Sequence, residues 1–364
     1  TPTTGSTYTW QVAGGVISGA STGTSVNVIW NTVGGQTLRV TETTSANCTG
    51  FVDKTVQVNP VLIPTTTGST VVCAGDTKQY SITNVHTGST YLWTVTGGSI
   101  SGSNSSTAVT VVWNGAGTGV VSVAETSTGC VGTSTPMNVT INALPTPSVT
   151  SSTGGLATVG VCAGSTHTYS TQNNIGSTYL WTITGGTATN GLTGASVTIL
   201  WGNAGTGSIK VKEMNAAGCV TETTPSTITV NALPTPSVTG NTSACTGVSQ
   251  TYSTASVAGN SYSWSVKLNG NPITFTQTNN SITVTYTTSG TGEVSVTETN
   301  GTTGCSKQSA SVFTVVTTMP TPGISGVTST CAGSTRTYST ANVAGNSYTW
   351  TVVPSGTQFT GQGT

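Results

Sequence analysis

Three residue types in this chain could do chemistry: eight cysteines, two histidines and a recurring glutamate. The cysteines fall into two sets. Cys73, Cys162, Cys245 and Cys331 each open a phrase reading CAG or CTG, whereas Cys48, Cys130, Cys219 and Cys305 follow a Thr-rich strand-like run. No CxxC occurs and only His86 and His167 could assist, so a zinc centre is not indicated. Regular cysteines of this kind read as disulfides formed in an oxidising compartment. Glu42, Glu125, Glu213 and Glu298 recur at one position of the pattern. One carboxylate per period does not make the pair that glycoside hydrolysis needs; the expected role is to accept backbone N–H bonds from the turn that follows. His167 shares its slot with Lys78, Gln250 and Arg336, which marks an exposed strand position and not a general base. With no nucleophile elbow and no phosphate loop, the expectation is no enzyme, no cofactor and no metal.

The elements that position these residues come from repetition. GSTYTW (5–10), GSTYLW (88–93), GSTYLW (176–181), GNSYSW (259–264) and GNSYTW (345–350) recur at offsets of 83, 88, 83 and 86 residues. NALPTPSVT stands at 142–150 and again, unchanged, at 231–239. Such self-similarity indicates an array. It is read as a partial repeat over 1–60, complete repeats over 61–143, 144–232 and 233–318, and a partial repeat over 319–364: a window on a longer array. Pro145 and Pro147, Pro234 and Pro236, and Pro320 and Pro322 are the expected connectors, setting a fixed step between modules.

Within a repeat, apolar residues alternate with Thr and Ser, as in Tyr91, Trp93 and Val95 or Val109, Val111 and Trp113. Period-two alternation with Gly-rich breaks describes half-buried antiparallel strands. No helical period is present. About seven short strands per repeat with a Trp on the third give an all-β fold, a tandem array of immunoglobulin-like sandwiches. The expected core is Trp10, Trp30, Trp93, Trp113, Trp181, Trp201, Trp264 and Trp350, with Tyr286 in a Trp slot. Their shared parity with Val favours the core over a sugar-stacking platform.

The phrases CAGSTHTYS, GSTYLWTVTGG and VTVVW resemble the PKD-like domains found in large surface adhesins of Bacteroidota. The resemblance implies a seven-stranded sandwich and a secreted, cell-surface setting. It departs from the acidic pattern W-D-F-G-D-G, since Trp93 is followed by TVTGG. That departure removes the carboxylates a calcium-assisted version would use.

In such a sandwich the turn before the second strand and the turn after the sixth lie at opposite ends. Pairing within a repeat (Cys73–Cys130, Cys162–Cys219, Cys245–Cys305) closes a loop of some 57 residues, a stabilisation of about 4 kcal/mol. Strands of about 17–20 Å would hold those cysteines beyond the roughly 7 Å limit, unless loops fold back. Pairing between repeats would join Cys73 to Cys219 and Cys162 to Cys305. Both connectivities stand at this level.

Only 4% of the residues are charged and the formal net charge is zero, against about a quarter in ordinary domains. Nucleic acid is therefore not an expected partner. No apolar run is long enough for a membrane span, and neutrality permits association with other copies of the chain. Surface glycans or the substratum are further candidate partners. The expected function is an extracellular structural or adhesive rod. The alternative is a spacer or carbohydrate-binding array of a secreted hydrolase.

Overall fold

In the computed structural model, residues 2–152 and 160–352 are described. Residues 61–143 show the architecture most fully. Their strands are β1 (Thr66–Thr67), β2 (Val71–Cys73), β3 (Thr77–Ile82), β4 (Thr90–Thr96), β5 (Gly98–Ser101), β6 (Ala108–Trp113), β7 (Gly117–Ser127), β8 (Cys130–Thr133) and β9 (Met137–Asn142). One sheet runs β5-β6-β3-β1. The other is centred on β7, which pairs antiparallel with β4, β8 and β9. β2 joins the outer side of β9 in parallel, with Val72 opposite Ile141 and Cys73 opposite Asn142. The number of strands exceeds the seven expected because β1, β2, β5 and β8 are two to four residues long, too short to show a period.

Between the sheets lie Tyr80, Trp93, Val111, Trp113, Val121, Val123 and Val139, all at most 2% exposed. Tyr80 meets Trp113 edge-on, with ring centroids 5.9 Å apart. Residues 144–232 repeat the arrangement around Trp181 and Trp201, with Tyr169 against Trp201 at 6.1 Å. In residues 233–318 the core gathers around Trp264 and Tyr286. There Tyr252 supplies a hydroxyl 3.1 Å from that of Tyr286, and a second bond at 2.7 Å to Thr314. Burial pushes the Tyr286 phenol far above its ordinary range, so it stays neutral and acts as a core residue.

Trp10, Trp30 and Trp350, in the two partial repeats, are half-buried. Residues 2–60 form a three-stranded sheet (Thr7–Ala13, Gly34–Thr43, Thr49–Val58) and one short hairpin. Residues 319–352 hold one isolated bridge, Ser325 to Ser339. The connectors also vary. Pro145 is buried, Pro147, Pro234 and Pro236 are half-buried, and Pro320 and Pro322 are exposed.

No helix among the described residues is long and apolar enough to cross a membrane.

Two glycines are fixed by the core. A Cβ on Gly207 would fall inside the contact distance of the Trp201 ring and 2.8 Å from the Thr184 carbonyl oxygen. Gly119 stands in the same relation to Trp113. Overpacking of this kind costs about 1–3 kcal/mol. Gly207→Ala is therefore expected to lower the melting temperature of this chain by several degrees, read by differential scanning calorimetry. An unchanged melting profile would contradict the packing described.

Candidate functional site: the stapled junctions

Two features converge on each junction between complete repeats. The first is the disulfide. Cys73 is bonded to Cys219, and Cys162 to Cys305, each with Cα atoms 5.6 Å apart. Each bond therefore joins the opening cysteine of one repeat to the hairpin cysteine of the next, not two cysteines of one repeat. The strand layout explains why. Parallel pairing of β2 with β9 puts Cys73 beside Asn142, where the chain leaves the repeat. Cys162 lies opposite Asn231 in the same way. The hairpin cysteines sit at the other end, with Cys130 opposite Ser127 across the β7–β8 turn. The hairpin carrying Cys219 is held by Asn215, whose side-chain oxygen accepts from the N–H groups of Ala217 and Cys219 at 3.1 and 3.0 Å. Its amide donates back across the junction to the Ala143 carbonyl at 2.9 Å. Cys219 and Cys305 end up 1% and 0% exposed. Cys130 and Cys245 are free and half-buried, and Cys48 and Cys331 are free and exposed.

The second feature is the recurring glutamate, at the same end as the hairpin cysteine. Glu125, Glu213 and Glu298 are 0%, 1% and 4% exposed. Their donors are side chains of the Trp strand and of the turn that precedes it, not backbone N–H groups of the turn that follows, because the register sets Glu125 opposite Tyr91 on β4. Tyr91 donates to Glu125 Oε1 at 3.3 Å, and His86 Nδ1 lies 2.8 Å from the same oxygen. Asn174 donates to Glu213 at 2.9 Å, and Asn260 to Glu298 at 2.6 Å. Each tyrosine hydroxyl also accepts a backbone N–H five residues upstream: His86 at 3.0 Å, Asn174 at 2.8 Å and Val257 at 2.8 Å. This ties the turn to the sheet much as a tyrosine corner does. Burial pushes the Glu125 carboxyl up, but Ser89, His86 and Tyr91 together outweigh it and hold the group below the usual carboxylate range. It is ionised at neutral pH.

A signal for this network lay in the sequence, in the comparison of repeats with one another. Where the slot before the Trp strand carries a donor, as His86 or Asn174, the residue three further on is Ser89 or Ser177. Where that slot is Val257, the residue three further on is Asn260, and it takes over the bond to the glutamate. Val343 with Asn346 repeats the exchange.

The other sequence candidates are dispersed. His167 is half-buried and lies 3.1 Å from the Ser165 hydroxyl. Its slot is not uniformly exposed, since Gln250 is 8% exposed and bonded to Asn241. Trp93, Trp113, Trp181 and Trp201, at most 2% exposed, offer no face to a sugar. Among the described residues, no three of His, Cys, Asp and Glu gather as metal ligands would. A cleft of about 390 Å³ lies at the junction, lined by Leu144, Pro145, Asn174, Ile175, Glu213 and Asn215 among others.

Residues 59–141, 231–315 and 317–364 match the PKD-like domain. The 144–232 repeat lies between those ranges and shares the connector and both phrases with its neighbours. No curated protein matches the chain. Among solved structures, the chain is similar to the I-band fragment I67-I69 from titin, at 9% identity and a TM-score of 0.31, covering 71% of this chain and 97% of that one. It is also similar to the ICAM-5 D1-D4 ectodomain fragment, at 12% identity and a TM-score of 0.30, covering 85% and 95%. The fibronectin(III)-like modules of Clostridium thermocellum CbhA are 15% identical, with a TM-score of 0.27, covering 47% and 95%.

Removing the donor at Asn260 leaves a buried carboxylate short of a partner, which costs about 1–3 kcal/mol. Asn260→Ser is therefore expected to destabilise residues 233–318 in urea unfolding. The double change Val257→Asn with Asn260→Ser, which recreates the arrangement at Asn174 and Ser177, is expected to recover most of the loss. Additive loss in the double variant would show that the two positions do not share the carboxylate.

Proposed function

The chain belongs to the PKD-like domain family, and from that premise we propose that it serves as a tension-carrying segment of an extracellular rod at a bacterial cell surface. Disulfides and repeats of this family fit an extracellular repeat protein. The rod, its place on the cell and a part in adhesion are the proposal, supported by the resemblance to surface-adhesin repeats.

The observation that carries the reading is that both bonds cross a junction. If residues 144–232 come apart under load, two short chains still join the neighbouring repeats. One runs from Cys219, bonded to Cys73, into the next connector. The other runs from Asn142 to Cys162, bonded to Cys305. Each is about 20 residues, or about 65 Å extended, little longer than a folded sandwich with strands of about 20 Å plus its end loops. Without the bonds the whole repeat of roughly 90 residues could be drawn out to about 300 Å. The staples therefore cap extension even when a repeat unfolds. A surface with few charges leaves neighbouring rods free to lie side by side, which suits a bundle or filament.

Single-molecule stretching of the chain from its two ends checks this. With the bonds intact, opening of the 144–232 repeat is expected to lengthen the tether by a few tens of ångströms. After reduction by dithiothreitol the same event is expected to add about 250 Å, the extended length of the repeat less that of the folded sandwich. Equal step lengths before and after reduction would sink the proposal.

A further inference from the structure

Cys130 and Cys245 lie in complete repeats, yet neither is bonded to any cysteine of this chain. We propose that both are staple positions, each receiving a further PKD-like repeat stacked in line. Cys245 takes the hairpin cysteine of the repeat beyond its exit end, and Cys130 takes the opening cysteine of the repeat at its entry end. The inference rests on the stapled-rod reading and extends it to a partner.

The local frame around Cys245 is that of the two bonded opening cysteines. It sits in a short parallel strand opposite Thr317, as Cys73 sits opposite Asn142 and Cys162 opposite Asn231. The residue before it, Ala244, is buried like Val72 and Val161. Two residues after it, the Gly247 N–H donates to the carbonyl of Tyr286 at 2.8 Å. Gly75 makes that bond to Trp113 at 2.7 Å and Gly164 to Trp201 at 3.0 Å. The thiol of Cys245 is therefore held where the other two meet their partners.

At the entry end, exposure reports what a docked repeat covers. Bonded Cys219 and Cys305 are 1% and 0% exposed, whereas Cys130 is half-buried. The apolar neighbour Val131 is 65% exposed, against 41% for Val220 beside bonded Cys219. A stacked repeat would cover this hairpin as the 61–143 repeat covers that of Cys219.

Because each bond joins unlike ends, the contact is heterologous and adds repeats in one direction without closing. Two opening cysteines cannot meet without turning one repeat end for end. Bond formation is thiol–disulfide exchange. One thiolate attacks oxidised glutathione, forming a mixed disulfide and releasing one glutathione thiolate. The second cysteine's thiolate then displaces the other glutathione, so two thiols are oxidised and one oxidised glutathione becomes two reduced.

The test holds the 364-residue chain at high concentration in a glutathione redox buffer, so that a second copy supplies the stacked repeat. Linked species are separated without reduction and their bonds are mapped by mass spectrometry. The expected bonds between copies join an opening cysteine (Cys245 or Cys331) to a hairpin cysteine (Cys48 or Cys130). The double variant Cys245→Ser with Cys331→Ser is expected to reduce the linked fraction at least tenfold. Bonds between like cysteines, a Cys245–Cys331 bond, or glutathione adducts alone would overturn the inference. Loss of the Cys73–Cys219 and Cys162–Cys305 peptides from the same digest would instead sink the stapled array itself, and the two failures are thus separable.

Discussion

The parallel pairing of a two- or three-residue strand with the last strand of its repeat governs the rest of this structure. Val71–Cys73 against Met137–Asn142, Val161–Cys162 against Ser226–Asn231 and Ser243–Cys245 against Val312–Thr317 are three instances of it. Had these strands paired antiparallel with the same partner, the direction of approach would reverse and the cysteine would face away from the exit. Parallel pairing sets it beside the residue from which the connector departs. The cysteine it meets there is that of the hairpin at the entry end of the next repeat. Closing loops of this size stabilises by about 5 kcal/mol on the chain-entropy model, a large term for modules of fewer than 100 residues.

A chain with eight acidic and eight basic residues has little surface electrostatics to draw on, and exposed pairs such as Arg39–Asp53, at 2.6 Å, contribute little. Cohesion falls instead to the aromatic core and to one buried carboxylate per repeat. One oxygen of that carboxylate, Oε1, accepts from neutral donors in two of the three complete repeats, and it fixes the turn against which the incoming connector lies. The cleft between that turn and residues 142–146 is therefore a seam between two repeats, bounded by the same residues that orient the staple.

Much of the fold was legible because period-two patterns over five to eleven residues carry their own evidence. Val109, Val111 and Trp113 point inward for the reason their spacing suggests. The two- to four-residue strands were not legible, since a period needs length to show. The position of the cysteines at opposite ends followed from topology, while the choice between connectivities required the stacking of one repeat on another, which no single repeat encodes. The exchange of donor between Val257 and Asn260 was visible in the letters, yet its meaning depended on knowing that Glu298 lies across the sheet from Tyr262.

The central claim is that the covalent links run between repeats. Its most direct test is mass-spectrometric mapping of the chain as isolated, alkylated and digested without reduction. The structure predicts peptides joined through Cys73–Cys219 and Cys162–Cys305, with Cys130 and Cys245 carrying the alkyl label or a bond to another repeat. Recovery of Cys73–Cys130, Cys162–Cys219 and Cys245–Cys305 would contradict it, leaving an array of independently closed modules with no covalent limit on its extension.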